Sequence, residues 1–220
     1  VPSGARDRIA KGDTMTEREA LLRAVCEFPD DDTPRLVFAD WLQEHGEEER
    51  AEFIRAQIEA ARLPADDGYR SALVARAAEL QAKHGTVWLN ELPKRDKIDW
   101  VRYPGGWLEG EEFDRGFPAR VRVDNAGAVV KYAKILFAAT PVRRLLIWNI
   151  KRADKLALLP QLRHLHTIRA RIVSKQAADD LLECPYLDAV PDIRLSFTAL
   201  TEAHLKRLRK KFGDRLRNQP

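Results

Sequence analysis

Apolar residues recur at three- and four-residue intervals through the first third of the chain, and at alternate positions in short bursts through its second half. The first spacing is that of an amphipathic helix and the second that of a strand with one buried face. Thr16 and Glu19 have the form of a capping box ahead of Leu21, Leu22, Val25 and Phe28, which predicts a first helix. In "PDDDTPRLVFADWLQEHG", residues 29–46, Asp32 or Thr33 suits the N-cap, Pro34 the first turn and Gly46 the stop. Val37 with Trp41 and Phe38 with Leu42 give this second helix a broad apolar face. The three aspartates stand where the helix dipole favours negative charge, by about 0.3–1 kcal/mol each. A metal site would need carboxylates converging from several elements, and the sequence offers no second set. His45 falls in the last turn, facing solvent. Residues 48–62 predict a third helix around Phe53, Ile54 and Ile58, and "YRSALVARAAELQAKHG" a fourth that stops at Gly85.

The stretch "EREALLRAVCEFPDDDTPRLVFADWLQEHGEEERAEFIRAQIEAARL" resembles the bacterial repeat-companion domain, a short helical module that precedes leucine-rich repeats. The similarity covers about residues 16–63, has "PDDDTPRLVFADWLQEHG" as its most distinctive part, and continues more loosely through "AELQAKHGTVWL". No chemistry is attached to that family. The resemblance therefore implies architecture, with leucine-rich repeats to follow.

The second half can be tested for an LxxLxL frame, in which alternate strand residues point inward and the residue three before them packs under the turn. Val142, Leu145 and Ile147 fit, as do Val190, Ile193 and Leu195; Leu162, Leu165 and Thr167 supply a unit between them, and Pro118, Val121 and Val123 an atypical first one. The starts at 118, 142, 162 and 190 straddle the expected period. Helical segments follow each strand: "AGAVVKYAKILFAA", "ADKLALL", "SKQAADDLLE" and "TEAHLKRLRKKFG". Ile150 and Thr198 stand where a regular repeat has asparagine, so the set is degenerate; a generic α/β domain is the alternative.

In this frame the third, fifth and seventh positions face away from the core. They place Arg120, Arg122, Arg144, Trp148, His164, His166 and Arg194 on one concave surface, with Asp124, Leu146, Ile168, Asp192 and Ser196 among them. His164 and His166, two apart, could both reach a metal, but a third ligand is not evident. Charge sharpens the division. Residues 16–60 hold thirteen acidic and five basic side chains, whereas residues 140–220 hold seventeen basic and eight acidic. The last helix adds Lys206, Arg207, Arg209, Lys210, Lys211, Arg215 and Arg217, which read as a solvated cap or as phosphate contacts.

Other features exclude function classes. The longest apolar runs fall far short of the roughly 20 residues that a membrane-spanning helix needs. Cys26 and Cys184 have no CxxC spacing, which fits a reducing cytoplasm. No GxSxG, P-loop, GxGxxG or HExxH motif occurs, so no residue can be assigned a catalytic role and no cofactor is implied. Residues 1–14 read as a leader ahead of Met15, the only methionine.

The expected chain is thus α/β: a leader at 1–14, an all-α helical repeat-companion module at 15–85, a packed connector at 86–117 with Trp88, Trp100 and Trp107, and a short leucine-rich-repeat-like solenoid with a parallel sheet at 118–220. The expected function is a non-enzymatic scaffold or protein-protein interaction module whose basic concave face takes an acidic protein. Nucleic acid is the second partner class. Self-association, acidic helices against the basic repeats of another copy, is a third reading.

Overall fold

The computed structural model describes residues 15–100, 112–198 and 200–218. Four helices come first: α1 (Glu17–Glu27), α2 (Thr33–Glu44), α3 (Glu48–Arg62) and α4 (Gly68–Asn90). The capping box of α1 is formed, with Thr16 Oγ1 accepting from the Glu19 N–H at 3.3 Å and Glu19 Oε2 accepting from the Thr16 N–H at 2.8 Å. Helix α2 starts at the expected place, but its cap bond comes from another residue. Asp32 stands at the N-cap but its carboxylate makes no cap bond; Asp31 takes the Thr33 N–H instead, at 2.8 Å. Helix α4 runs past Gly85 to Asn90, because Trp88 is buried against Phe53 and Phe113, with ring centroids 4.8 and 6.0 Å away. Burying an indole outweighs the roughly 1 kcal/mol that a mid-helix glycine costs.

A six-stranded sheet follows, in the order β1 (Ile98–Asp99), β4 (Arg120–Asn125), β5 (Arg144–Ile150), β6 (Thr167–Ile172), β7 (Asp192–Phe197) and β8 (Leu216–Asn218). The two-residue β1 is antiparallel to β4; every other pairing is parallel. Arg120, Arg144, Thr167 and Asp192 stand side by side across four strands, in steps of 24, 23 and 25 residues. Between those strands the chain returns through α5 (Ala126–Ala139), through short helical turns at Leu156–Leu158 and Pro160–His164, and through α6 (Lys175–Leu182). Helix α7 (Glu202–Phe212) ends at Gly213, whose φ of +55° suits a residue without Cβ, and the chain then adds β8. That edge strand corrects the expectation of a basic helix continuing to Arg217. The core lies on one side of the sheet, where Val121, Val123, Leu145, Ile147, Ile168, Ala170, Ile193 and Leu195 meet Val129, Leu136, Leu181, Leu208 and Phe212.

A small hairpin joins the helices to the sheet. Strands β2 (Phe113–Asp114) and β3 (Phe117–Pro118) are antiparallel and turn through Arg115 and Gly116, both at positive φ, the backbone that a two-residue turn requires. Phe113 is buried among Phe53, Trp88 and Leu80 of the helices, and Phe117 among Phe38, Ile54 and Leu42. The buried part of the connector is therefore integral to the helical cores. Trp100 packs on the sheet core and donates its Nε1–H to the Pro93 carbonyl at 3.0 Å; Trp107 lies outside the described residues.

Gly116 sits against Ile54 so closely that an added Cβ would lie 2.2 Å from Ile54 Cγ1 and 2.7 Å from Ile54 Cα. Backbone cannot yield as a side chain does. Gly116→Ala is expected to destabilise the protein by about 2–4 kcal/mol, through overpacking at a positive-φ position. Urea unfolding followed by far-UV circular dichroism measures this, and a midpoint equal to that of the wild type would contradict the hairpin's position.

Candidate binding surface

Within each strand the residues opposite the core alternate with it, as the pleat demands. Arg120, Arg122 and Asp124 of β4, Arg144, Leu146 and Trp148 of β5, Thr167, Arg169 and Arg171 of β6, and Asp192, Arg194 and Ser196 of β7 fall on that second face. The register sets Arg122, Leu146, Arg169, Arg194 and Arg217 in one row across five strands. The helices of this part pack on the other side. Acids meet three of the row's four arginines: Asp99 lies 3.2 Å from Arg122, and Asp192 lies 2.8 Å from Arg194 and 3.5 Å from Arg217. Arg120 is nearly buried, and desolvation followed by the neighbouring Arg144 lowers its pKa against the pull of Glu112.

Five of the seven anticipated residues, Arg120, Arg122, Arg144, Trp148 and Arg194, share this face. His164 and His166 do not. The apolar pair Leu162 and Leu165 suggests a strand beginning there, but both are buried under a helical turn and β6 starts at Thr167. The strand frame here is Leu165, Ile168 and Ala170, three residues later than expected, so Thr167 and Arg169 stand in place of the two histidines, Arg171 stands in place of Ile168, and Ile168 points into the core. Evenness was the missed signal, since starts at 118, 142, 165 and 190 are nearly equidistant.

The histidines serve another contact. Arg143 is 1% exposed and directs its Nη2 at both the Asp30 carboxylate and His166 Nε2, while His164 Nδ1 lies 4.0 Å from Asp30. Beside it Asp32 receives Arg62 at 2.8 Å and Arg115 at 2.9 Å. Arg35, fully buried, donates to the carbonyls of Pro29 and Asp31, both at 2.9 Å, and its guanidinium lies over the Phe117 ring. The aspartate run is thus an ionic seam: Asp30 binds the sheet, Asp31 caps α2, and Asp32 binds α3 and the hairpin. Among the described residues, no group of three His, Cys, Asp or Glu side chains is placed to hold a metal ion, and no helix is long and apolar enough to cross a membrane.

Much of the terminal basic cluster is structural. Lys211 reaches the carbonyls of Leu182 and Cys184, Arg215 those of Leu187, Asp188 and Val190, and Arg207 the Asp179 carboxylate. These cations satisfy carbonyls at the end of α6 and along the turn that follows it. Comparison with protein-family models, with curated proteins and with solved structures gives no match to this chain.

The seam has a pH dependence with a definite sign. Burial, then Arg143, holds the His166 imidazole below its usual pKa, with Arg144 adding and Asp114 and Asp30 opposing. Burial, then Arg163, does the same at His164, with Arg143 adding and Asp30 opposing. Groups depressed in the folded state leave stability intact above their unfolded pKa of about 6.5 and remove it as the pH falls from there toward the folded value. Desolvation favours the neutral Asp30 carboxyl, but the Arg143 bond and charge and both imidazoles outweigh it, so its pKa is lowered and its loss comes in a separate window, below about pH 4. Urea midpoints are expected to fall between about pH 7 and pH 5.5, and His164→Gln/His166→Gln to flatten that fall. An unchanged slope in the double variant would contradict this account.

Proposed function

We propose that the chain is a repeat-companion module joined to a short, irregular leucine-rich-repeat-like solenoid, and that it works as a non-enzymatic interaction module. The side of the sheet opposite its helices is its binding surface and an acidic protein segment its partner. The observation that carries this reading is the arginine row, in which Arg122, Arg169, Arg194 and Arg217 stand in register, flanked by Arg120, Arg144 and Arg171. A guanidinium offers carboxylates a planar fork of donors, and a series of them at strand spacing suits a partner carrying several carboxylates. Trp148, 46% exposed at the end of β5, adds apolar area for a side chain between those acids. The spacing of the register steps lies within the leucine-rich-repeat period and supports the solenoid reading.

Nucleic acid is the second reading, favoured by the exposed Lys206, Arg209 and Lys210 of α7. It is weakened by the structural use of Arg207, Lys211 and Arg215.

Titration of a fluorescent poly-glutamate peptide and of a labelled random single-stranded RNA pool, each over a salt series, tests the choice. The peptide is expected to bind, and Arg144→Glu/Arg169→Glu to weaken it at least about tenfold while the far-UV spectrum and melting temperature hold. Lys206→Glu/Lys210→Glu on α7 is expected to change little. Unaltered peptide binding by the arginine variant, or RNA binding that outlasts it and depends on the α7 lysines, would overturn the reading.

A further inference from the structure

At the carboxyl ends of β4 and β5, which stay paired through Asn125 and Asn149, lies a crevice of about 830 Å³, bounded by the first turns of α5 on one side and by residues 151–156 on the other. Parallel sheets take ligands at that end of their strands, and the volume is that of a small-molecule site. Cations surround it: Lys131 from α5, and Lys151, Arg152 and Lys155 from the loop after β5. The acids in the lining are Asp124 and Asp154, and Asp154 is engaged by Arg152 at 3.5 Å. Val130, Leu156 and Trp148 provide apolar wall.

The basic loop is anchored from behind. Asp180 of α6 turns one carboxylate oxygen, Oδ2, to the N–H groups of Ala153 and Asp154, at 2.7 and 3.1 Å, and is itself held by the Gln176 carboxamide at 2.8 Å. The Ser174 hydroxyl donates to the Lys151 carbonyl at 2.5 Å, and Ala153 and Leu156 are buried in the sheet core. An acidic side chain has therefore been placed behind the loop, bonded to its backbone, while Lys151, Arg152 and Lys155 of the loop are among the residues that line the crevice. Ordering that loop in advance lowers the entropic cost of binding.

We infer that this crevice binds a small phosphate-bearing anion. Three lysines and an arginine in the lining of one volume, against two aspartates, suit an anion of more than one charge, and the apolar wall accommodates an organic portion. The phosphate belongs either to a free ligand, such as a nucleotide, or to the backbone of a nucleic-acid strand. Trp148 borders both surfaces, but no cation of the crevice belongs to the arginine row, so the lysine and the arginine variants separate failure of this inference from failure of the proposed function.

The test is calorimetric titration of the whole chain with inorganic tripolyphosphate at low salt. Lys131→Gln/Lys155→Gln is expected to weaken binding at least about tenfold. Asp180→Ala, which removes no cation, is expected to weaken it several-fold by releasing the loop, whereas a merely basic surface would bind the anion more tightly once that acid is gone. Lys206→Gln/Lys210→Gln, the same loss of charge on α7, is expected to leave it within about twofold, the remainder being long-range potential. Melting curves identify any variant that fails to fold, and the opposite signs expected for Asp180→Ala keep the test decisive if a lysine variant is lost. A single-stranded RNA oligonucleotide displaces tripolyphosphate if a strand's backbone is the source; ATP alone displaces it if the source is a free ligand. No binding of tripolyphosphate at low salt, equal losses in the α7 control, or tighter binding by Asp180→Ala would overturn the site.

Discussion

Two phenylalanines on one six-residue hairpin set the arrangement of this molecule. Phe113 and Phe117 belong by sequence to the approach to the sheet, yet both are fully buried among the helices, one in the α3–α4 aromatic cluster and the other beneath α2. Burying each stabilises by about 1.5–3 kcal/mol, and neither can leave without opening a cavity in the helical core. The hairpin runs directly into β4: the Ala119 carbonyl accepts the N–H groups of Arg143 and Arg144, both at 2.9 Å, so the first of the parallel strands is positioned by the helices. The seam of Asp30, Asp31 and Asp32 acts on the same junction. A buried guanidinium needs an anion or a set of acceptors, and Arg143 finds Asp30 across 113 residues of sequence.

The proposed surfaces lie where this docking places them. The helices of the second half fill one side of the sheet, and α1 to α4 close on the hairpin and on the end of the sheet where Arg143 lies. The opposite side carries arginines in an in-register row, while the crevice at the carboxyl ends of β4 and β5 is lined by three lysines and an arginine.

Local chemistry was legible in the sequence, and long-range chemistry was not. Thr16 with Glu19, Pro34 and Gly46 mark helix ends through bonds made within a few residues, and the structure forms those ends. The strands at 120–125, 144–150 and 192–197 were legible because their alternation is unambiguous. "LRHLHTIRARI" was not, since Leu162 and Leu165 are buried under a turn for reasons that alternation alone does not distinguish from a strand. Gly85 misled because the indole three residues on decides where α4 ends. The role of the aspartates was legible only in part: dipole and capping arguments account for Asp31, whereas Asp30 and Asp32 are held by Arg143, Arg62 and Arg115, partners that no local pattern reveals. On the sheet, five candidate residues were found because they follow strands whose frame was right; Arg169 and Arg171 were missed with the frame of β6.

The central claim is that the arginine-bearing side of the sheet is where an acidic partner lies. A glutamate-rich peptide carrying a photo-crosslinker, irradiated in complex with the whole chain and mapped by mass spectrometry, tests it most directly. The account predicts crosslinks on β4 to β7 at outward positions such as Arg122, Trp148 and Arg171. Crosslinks confined to α7 or to the exposed helices α1 to α3 would contradict it.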